Sequence, residues 1–366
     1  MAGVKILTLV ETLTAAGAER VAVNLAVALK RSTAFCPVVC ASRSGGELET
    51  LLKEHQVEYR VLGRKSSRDV APWSVLTRWI RDEQIALVHG HMRGSNLWAG
   101  VLGRLCGVPV VAHAHGEPTG PVDLAFSSAI ATLVDRVIAV SENERQNLLR
   151  APLVSAAGVV TIHNGLDPAV YTGPREPALK QELGFPPDSQ VVGICAKLRA
   201  EKSHEIFLRA ARDVATRHRE AHFLVLGDGP RRGELEAIAR ELGLGDRCRF
   251  AGHRTDVPQL LRCMDVGVLT SDREGLPLAI LEYMASGLPL VSTRVGGIPE
   301  AIRDGENGFL LEAGDVGSIA ERVSRLLDDS TLRENMAARG ERIFNDEFSE
   351  AAMVKKVGVV YRELLK

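Results

Sequence analysis

The residues best placed to do chemistry are two carboxylates, Glu274 and Glu282, in the stretch Ser271 to Pro289. The apolar run Val266–Thr270 before them reads as a buried strand. Pro277 suits the first turn of a helix, where the missing N–H costs nothing. Gly287 and Pro289 stop that helix. A helix start here offers unpaired N–H groups and a positive dipole end to an anion or a sugar hydroxyl. Glu282 then lies about a turn and a half in, at ~1.5 Å rise per residue. The spacing suits an extended ligand gripped at two points. The plainer alternative is a pair of surface acids stabilising the dipole. The apolar neighbours of Glu282 (Ile280, Leu281, Tyr283, Met284) argue against it.

Basic groups stand after another predicted strand. Gly193 to Lys202 ends a strand and opens a helix, with Lys197 and Lys202 five apart. Both can converge on one diphosphate, whereas spacing alone favours a solvated pair. Gly227-Asp228-Gly229-Pro230 follows an apolar strand and suits close approach of a backbone, or a plain tight turn. Val295-Gly296-Gly297 offers a similar approach. The first strand runs into Glu11 to Arg20, a small-residue loop with Gly17; it is neither a dinucleotide G-x-G-x-x-G nor a P-loop. Two His-x-His pairs, His89/His91 and His113/His115, each fall on one face of an extended segment. That placement is compatible with a zinc cluster, but no carboxylate second shell accompanies it, and buried histidines are the simpler reading. Ser141 with Glu144 forms a capping box. His163-Asn164-Gly165-Leu166-Asp167 reads first as a turn, because Asn and Gly tolerate positive φ.

The elements that position these groups alternate in βα fashion, the mark of a parallel sheet. Strands are expected at Val4–Val10, Pro37–Ala41, Glu58–Leu62, Ala86–Val88, Pro109–Ala112, Arg136–Val140 and Val159–Ile162. Helices are expected between them. The scheme repeats from Gln190 to Leu311, and three helices end the chain. The Pro/Gly-rich stretch Tyr171–Asp188 is the linker candidate.

The Glu-x7-Glu spacing, with Glu-Gly-Leu-Pro leading into Glu-Tyr-Met-Ala-Ser-Gly-Leu-Pro, resembles the signature of the family-4 retaining glycosyltransferases. The resemblance continues more loosely over nearly the whole chain. It implies an α/β GT-B fold: two Rossmann-like doubly wound parallel-sheet domains facing a cleft, with the C-terminal helix crossing back to the first. The corresponding domains are 1–170 for acceptor, 171–348 for donor, and 349–366 for the returning helix. The resemblance further implies a nucleotide diphosphate sugar donor, UDP- or GDP-linked, with no cofactor and no metal. By it, Glu274 with Gly275, Leu276 and Pro277 touches the donor sugar, and Glu282 the ribose hydroxyls. Lys197 and Lys202 hold the diphosphate, where fixed cations stabilise the leaving charge. Gly17, Gly227 and Gly229 approach the donor, and His253 and Arg254 border the base. His115, before Gly116, faces the sugar, and Ser141 lines the cleft. The sequence departs from the family pattern at Ala16 and Ser203, both usually Gly, and at Lys197, usually Arg. The function implied is hexosyl transfer to a hydroxyl acceptor (a sugar, glycolipid or small molecule) with retention, in glycan or glycoconjugate biosynthesis. The alternatives are a GT-B nucleotide-sugar epimerase, which gives no reason for Glu-x7-Glu, and an inactive nucleotide-sugar-binding subunit.

Composition bounds the rest. The 366 residues suggest two domains. Forty-five basic against 46 acidic residues disfavours a nucleic-acid binder. Six cysteines without a CxxC pair read as free thiols in a reducing cytosol. No apolar run is long enough to span a membrane, and Val4–Val10 is too short for a signal-peptide core. The expected location is cytoplasmic. The helix Pro72–Asp82 with Trp73, Arg78, Trp79 and Arg81, preceded by Arg60, Arg64, Lys65 and Arg68, is the most basic aromatic patch. It suggests peripheral contact with an anionic inner membrane face; packing of the Trp rings on the sheet is the competing reading.

Overall fold

The computed structural model describes residues 3–32, 34–66, 69–116, 120–174 and 177–366. They divide into two compact units, Met1–Gly165 with Glu350–Lys366, and Leu166–Ser349.

In the first unit, β1 (Val4–Thr12), β2 (Phe35–Ser44), β3 (Glu58–Val61), β4 (Leu87–His91), β5 (Val110–Ala114), β6 (Arg136–Ala139) and β7 (Val159–Thr161) form one sheet. Its order is β3-β2-β1-β4-β5-β6-β7, and the pairings are parallel. Ile6, Leu7, Leu9 and Val10 of β1 are buried although they alternate in direction. A strand covered on both faces must read as an unbroken apolar run. The covering helices are α1 (Gly17–Arg31), α2 (Leu48–Glu54), α3 (Ala71–Asp82), α4 (Arg93–Cys106), α5 (Pro121–Ala131) and α6 (Glu142–Leu148).

The second unit repeats the plan with β8 (Gln190–Cys195), β9 (Ala221–Leu226), β10 (Cys248–Gly252), β11 (Val266–Leu269), β12 (Leu290–Thr293) and β13 (Gly308–Leu311). Their order is β10-β9-β8-β11-β12-β13, again parallel. Its helices are α7 (Pro168–Tyr171), α8 (Pro177–Glu182), α9 (His204–Arg217), α10 (Arg232–Glu241), α11 (Val257–Leu261), α12 (Leu278–Ala285), α13 (Ile298–Ala301), α14 (Val316–Asp328) and α15 (Ser330–Ile343). The last helix, α16 (Glu350–Leu364), belongs to the first unit. There Arg31 pairs with Glu350 at 3.0 Å. The Tyr361 ring meets Phe35 edge-on, with centroids 5.4 Å apart. The architecture is therefore the doubly wound α/β pair expected of GT-B, with the terminal helix returned to the first unit.

Three sequence-based expectations need correction. Tyr171–Asp188 is no linker: it lies inside the second unit, where Tyr171, Leu183 and Phe185 are buried. Pro277 is not in the first turn of α12 but caps it from extended backbone, φ −71° and ψ 132°. Neither Asn164 nor Gly165 adopts positive φ; the segment instead leads to Asp167, whose Oδ1 accepts the Ala169 N–H at the start of α7. In the basic patch, Trp73 and Trp79 are buried, with Trp73 stacked on Trp98 at 4.4 Å. Arg64 and Arg60 lie over the two rings, so the aromatics serve the core. Arg68 lies outside the described residues. No helix among the described residues is long and apolar enough to cross a membrane.

Candidate active site

In an open parallel sheet, ligands bind beyond the carboxyl ends of the strands where the strand order reverses. In the second unit that point lies between β8 and β11. The loops leaving these two strands carry Lys202 and Glu274. Their ammonium and carboxylate are paired, with side chains 20% and 9% exposed. Ser271 Oγ also donates to Glu274 Oε1, at 2.7 Å. Both partners use Oε1.

Lys202 ends a 3-10 turn, Ala200–Lys202, and does not open the following helix as the sequence suggested. Other residues hold that turn in place. Thr270 Oγ1 donates to the carbonyls of Lys202 and Ser203, at 3.1 and 3.0 Å. Ser203 is left-handed at φ 45° and ψ 47°, and its hydroxyl donates to Asp272 Oδ2 at 2.7 Å. The Asp272 N–H donates to the Glu201 carbonyl at 2.9 Å.

The Glu274 loop is fixed from the other side. Gly297 N–H donates to Gly275 O at 2.6 Å. Gly296 has φ +54°, and a Cβ on it would lie 1.7 Å from Glu274 O. Thr293 Oγ1 donates to Ser271 O at 2.6 Å. Leu276 is buried beneath the loop. Beyond it, α12 places Glu282, only 2% exposed, where its Oε1 accepts the Tyr171 hydroxyl at 3.0 Å. Tyr283, next in sequence, accepts the Cys195 N–H at 2.6 Å and donates to Val268 O at 3.3 Å, pinning the helix to β8 and β11. Burial drives its hydroxyl pKa well above the usual value. Gly267 is required beneath that ring, since a Cβ there would approach it to 2.7 Å.

The remaining donor-site candidates of this unit are scattered more widely. Gly227 and Gly229 serve backbone packing: a Cβ on either would strike Ala196 O at 2.0 Å or Leu198 O at 2.6 Å. They thereby place the segment bearing Lys197, which is exposed. His253 is exposed. Arg254 is spent on a two-pronged pair with Asp256, at 2.7 and 2.6 Å, and on Glu182 at 2.9 Å.

In the first unit, Gly17 opens α1, whose N-cap Ala16 makes no side-chain cap. Ala16 has φ −84°, so alanine meets no strain where the family pattern has glycine. Ser141 Oγ caps α6 by accepting the Glu144 N–H at 3.0 Å. His115 Nε2 lies 3.0 Å from His91 Nδ1, and His89 Nδ1 lies 2.6 Å from Tyr361 Oη. His89, His91 and His113 are fully buried, while His115 is half-buried. Burial lowers all four imidazole pKa values, His89 and His115 to about 3. The nearest ring nitrogens of His89, His91 and His113 lie within 4.8 Å of one another. Yet His89 and His113 are nearly parallel, at 4°, with centroids 5.3 Å apart.

The sequence reading missed Tyr171, Ser271, Thr270 and Asp272. Ser271 and Asp272 adjoin the acidic motif and were within reach of it; Tyr171 is 111 residues from its partner and has no local signal.

Two doubly wound parallel-sheet units are the GT-B plan, and the comparisons agree. The model for glycosyltransferase family 4 matches residues 15–170. The model for glycosyl transferases group 1 matches residues 175–343. The chain belongs to the family-4 glycosyltransferases. It is similar to N-acetyl-alpha-D-glucosaminyl L-malate synthase of Bacillus anthracis, at 31% identity over 57% of this chain and 54% of that one. The chain thus spans about half the length of that relative. Alpha-D-kanosaminyltransferase of Streptomyces kanamyceticus is 29% identical over 78% of this chain and 79% of its own. The crystal structure of Anabaena HepE in complex with UDP-glucose superposes with a TM-score of 0.88 at 23% identity, covering 98% of this chain and 99% of that one.

Proposed function

We propose that this protein transfers a hexosyl group from a nucleoside diphosphate sugar, UDP- or GDP-linked, to a hydroxyl acceptor, retaining the anomeric configuration and using no metal. The observation that carries this reading is the Glu274–Lys202 pair at the β8/β11 switch point. Its carboxylate spends one oxygen on Lys202 and Ser271, which leaves Oε2 for a sugar hydroxyl. Lys202, with the exposed Lys197, offers fixed positive charge to a leaving diphosphate. Glu282, oriented by Tyr171, is assigned to the ribose hydroxyls. His115, kept neutral by burial, is assigned to the sugar from the first unit. As the bond between the anomeric carbon and the phosphate oxygen breaks, the acceptor oxygen bonds the same face of that carbon. Its proton passes to the departing diphosphate, so no enzyme nucleophile is needed. The UDP-glucose bound by HepE supports the donor class.

Thermal shift against a panel of nucleotide sugars tests the reading. The true donor, at a hundredfold excess over its Kd, stabilises by ~2.7 kcal/mol. Product formed from that donor should keep its anomeric configuration by NMR, and excess chelator should leave turnover intact. Inversion, or activity lost to chelator and restored by Mg²⁺ or Mn²⁺, would sink the corresponding part.

A further inference from the structure

The first unit contains a cavity of about 410 Å³, well within the size range of small-molecule sites. It lies wholly in that unit, at the carboxyl ends of β4 to β6. Its walls include Ala112 and Ala114 of β5, Val137 of β6, Ile130 of α5, Leu148 of α6, and Val154. The volume has a local cause: β5 presents alanine at 112 and 114, where larger side chains would fill the space.

The polar groups of the wall are few and mostly committed to protein partners. The Asn96 amide donates to His113 O at 3.0 Å and accepts the His113 N–H at 3.2 Å. Ser127 Oγ donates to Asp123 O at 3.0 Å. Arg93 is paired with Asp123, and Glu144 has interactions of its own. The rest of the wall is apolar, interrupted by the buried Glu144 carboxylate. Arg93 and Gly116 are exposed and His115 is half-buried, so the cavity opens beside them.

One backbone feature singles out this wall. Met92, in the wall, holds φ 69° and ψ 160°, a conformation that is costly for any residue but glycine and that concentrates at ligand sites.

We propose that the acceptor is amphipathic: an apolar group, aryl or alkyl, occupies this cavity and its reacting hydroxyl lies at the His115 mouth. This rests on the transferase reading above and names the class of its second substrate.

The experiment compares methyl, phenyl and decyl glycosides of several hexoses, by thermal shift for binding and by donor consumption for transfer. For a matching hexose, the phenyl glycoside should exceed the methyl one in kcat/KM by roughly ten- to hundredfold, the worth of one buried ring, and the decyl glycoside by at least about tenfold. Preference for phenyl identifies an aryl acceptor, and preference for decyl a lipid-like one. Val154→Phe and Leu148→Phe fill the cavity from two elements; either folded variant should erase the preference, bringing the phenyl and decyl glycosides down to the methyl one. Equal kcat/KM across the three glycosides, or a preference that survives cavity filling, overturns the inference. Cavity-dependent binding of a phenyl or decyl glycoside without any donor consumption supports the apolar site and overturns the transferase reading instead.

Discussion

Lys202 and Lys197 make different demands on a kinetic experiment. The Lys202 ammonium is held by Glu274 and largely withdrawn from solvent, so its charge is already aimed. Lys202→Ala should lower kcat by ~10²–10³-fold, the scale of one lost oxyanion-type donor. A change confined to KM would make it a ground-state binding residue and end this mechanism. Lys197 is exposed, so Lys197→Arg should keep or raise turnover through a bidentate grip. Steady-state kinetics at saturating acceptor checks both. Ser203 offers a test of stability. It stands left-handed at φ 45°, which explains why the family pattern places glycine there. Ser203→Ala and Ser203→Gly both lose the hydrogen bond to Asp272, but only alanine keeps the strain. The glycine variant should therefore be the more stable by ~1–2 kcal/mol in urea unfolding. Equal stabilities would mean the turn relaxes in both. The sequence marked both glycine departures, yet only the backbone separates them: Ala16 sits where any residue is comfortable, and Ser203 does not.

At the scale of elements, the acidic motif works only because neighbouring loops are locked to it. The strands were legible because burial on both faces demands unbroken apolar runs, and α12 because Gly287, at φ +64°, ends it with Leu288 N–H returning to Tyr283 O at 3.0 Å. The loop locks were not legible, since they join segments distant in sequence: Gly296 on Glu274, Thr270 on the Lys202 turn, Tyr171 on Glu282. The proline-rich Tyr171–Asp188 stretch misled for the same reason, as composition does not reveal that Tyr171, Leu183 and Phe185 find buried partners. Gly296→Ala measures one lock. Its Cβ would lie 1.7 Å from a main-chain oxygen, at positive φ. Gly314 also has positive φ, +84°, but open space around it. Gly314→Ala should cost only the ~1–2 kcal/mol of left-handed strain. Gly296→Ala should cost more and also depress turnover by displacing Glu274. Equal losses in a denaturant titration, with turnover retained, would show that the loop yields freely.

At the scale of the molecule, the histidine stack sets how the protein meets acid. An unfolded imidazole titrates near 6.5. Burial holds His89 and His115 down to about 3 in the folded first unit, and His91 and His113 well below the usual value. In the second unit, His204 is lowered to about 4, mainly by burial. The folded groups resist protonation, so the unfolded state binds more protons as pH falls. The associated stability is complete above about 6.5. Below that it declines by about 1.4 kcal/mol per pH unit for each such imidazole, until the folded groups themselves titrate. Between about 6.5 and 5, pH lies above the reference carboxylate values, so the histidines dominate the change there. Urea titrations at pH 7.5 and pH 5 should show the first unit, with four such rings, losing more stability than the second, with one. Tryptophan emission reports the first unit, since Trp73, Trp79 and Trp98 all lie in it; far-UV ellipticity follows both. His113→Asn, which removes one ring from the stack, should make the pH dependence of the fluorescence transition shallower. A midpoint by fluorescence that does not move between the two pH values would mean the stack accepts protons while folded, and that water reaches the His89, His91 and His113 rings.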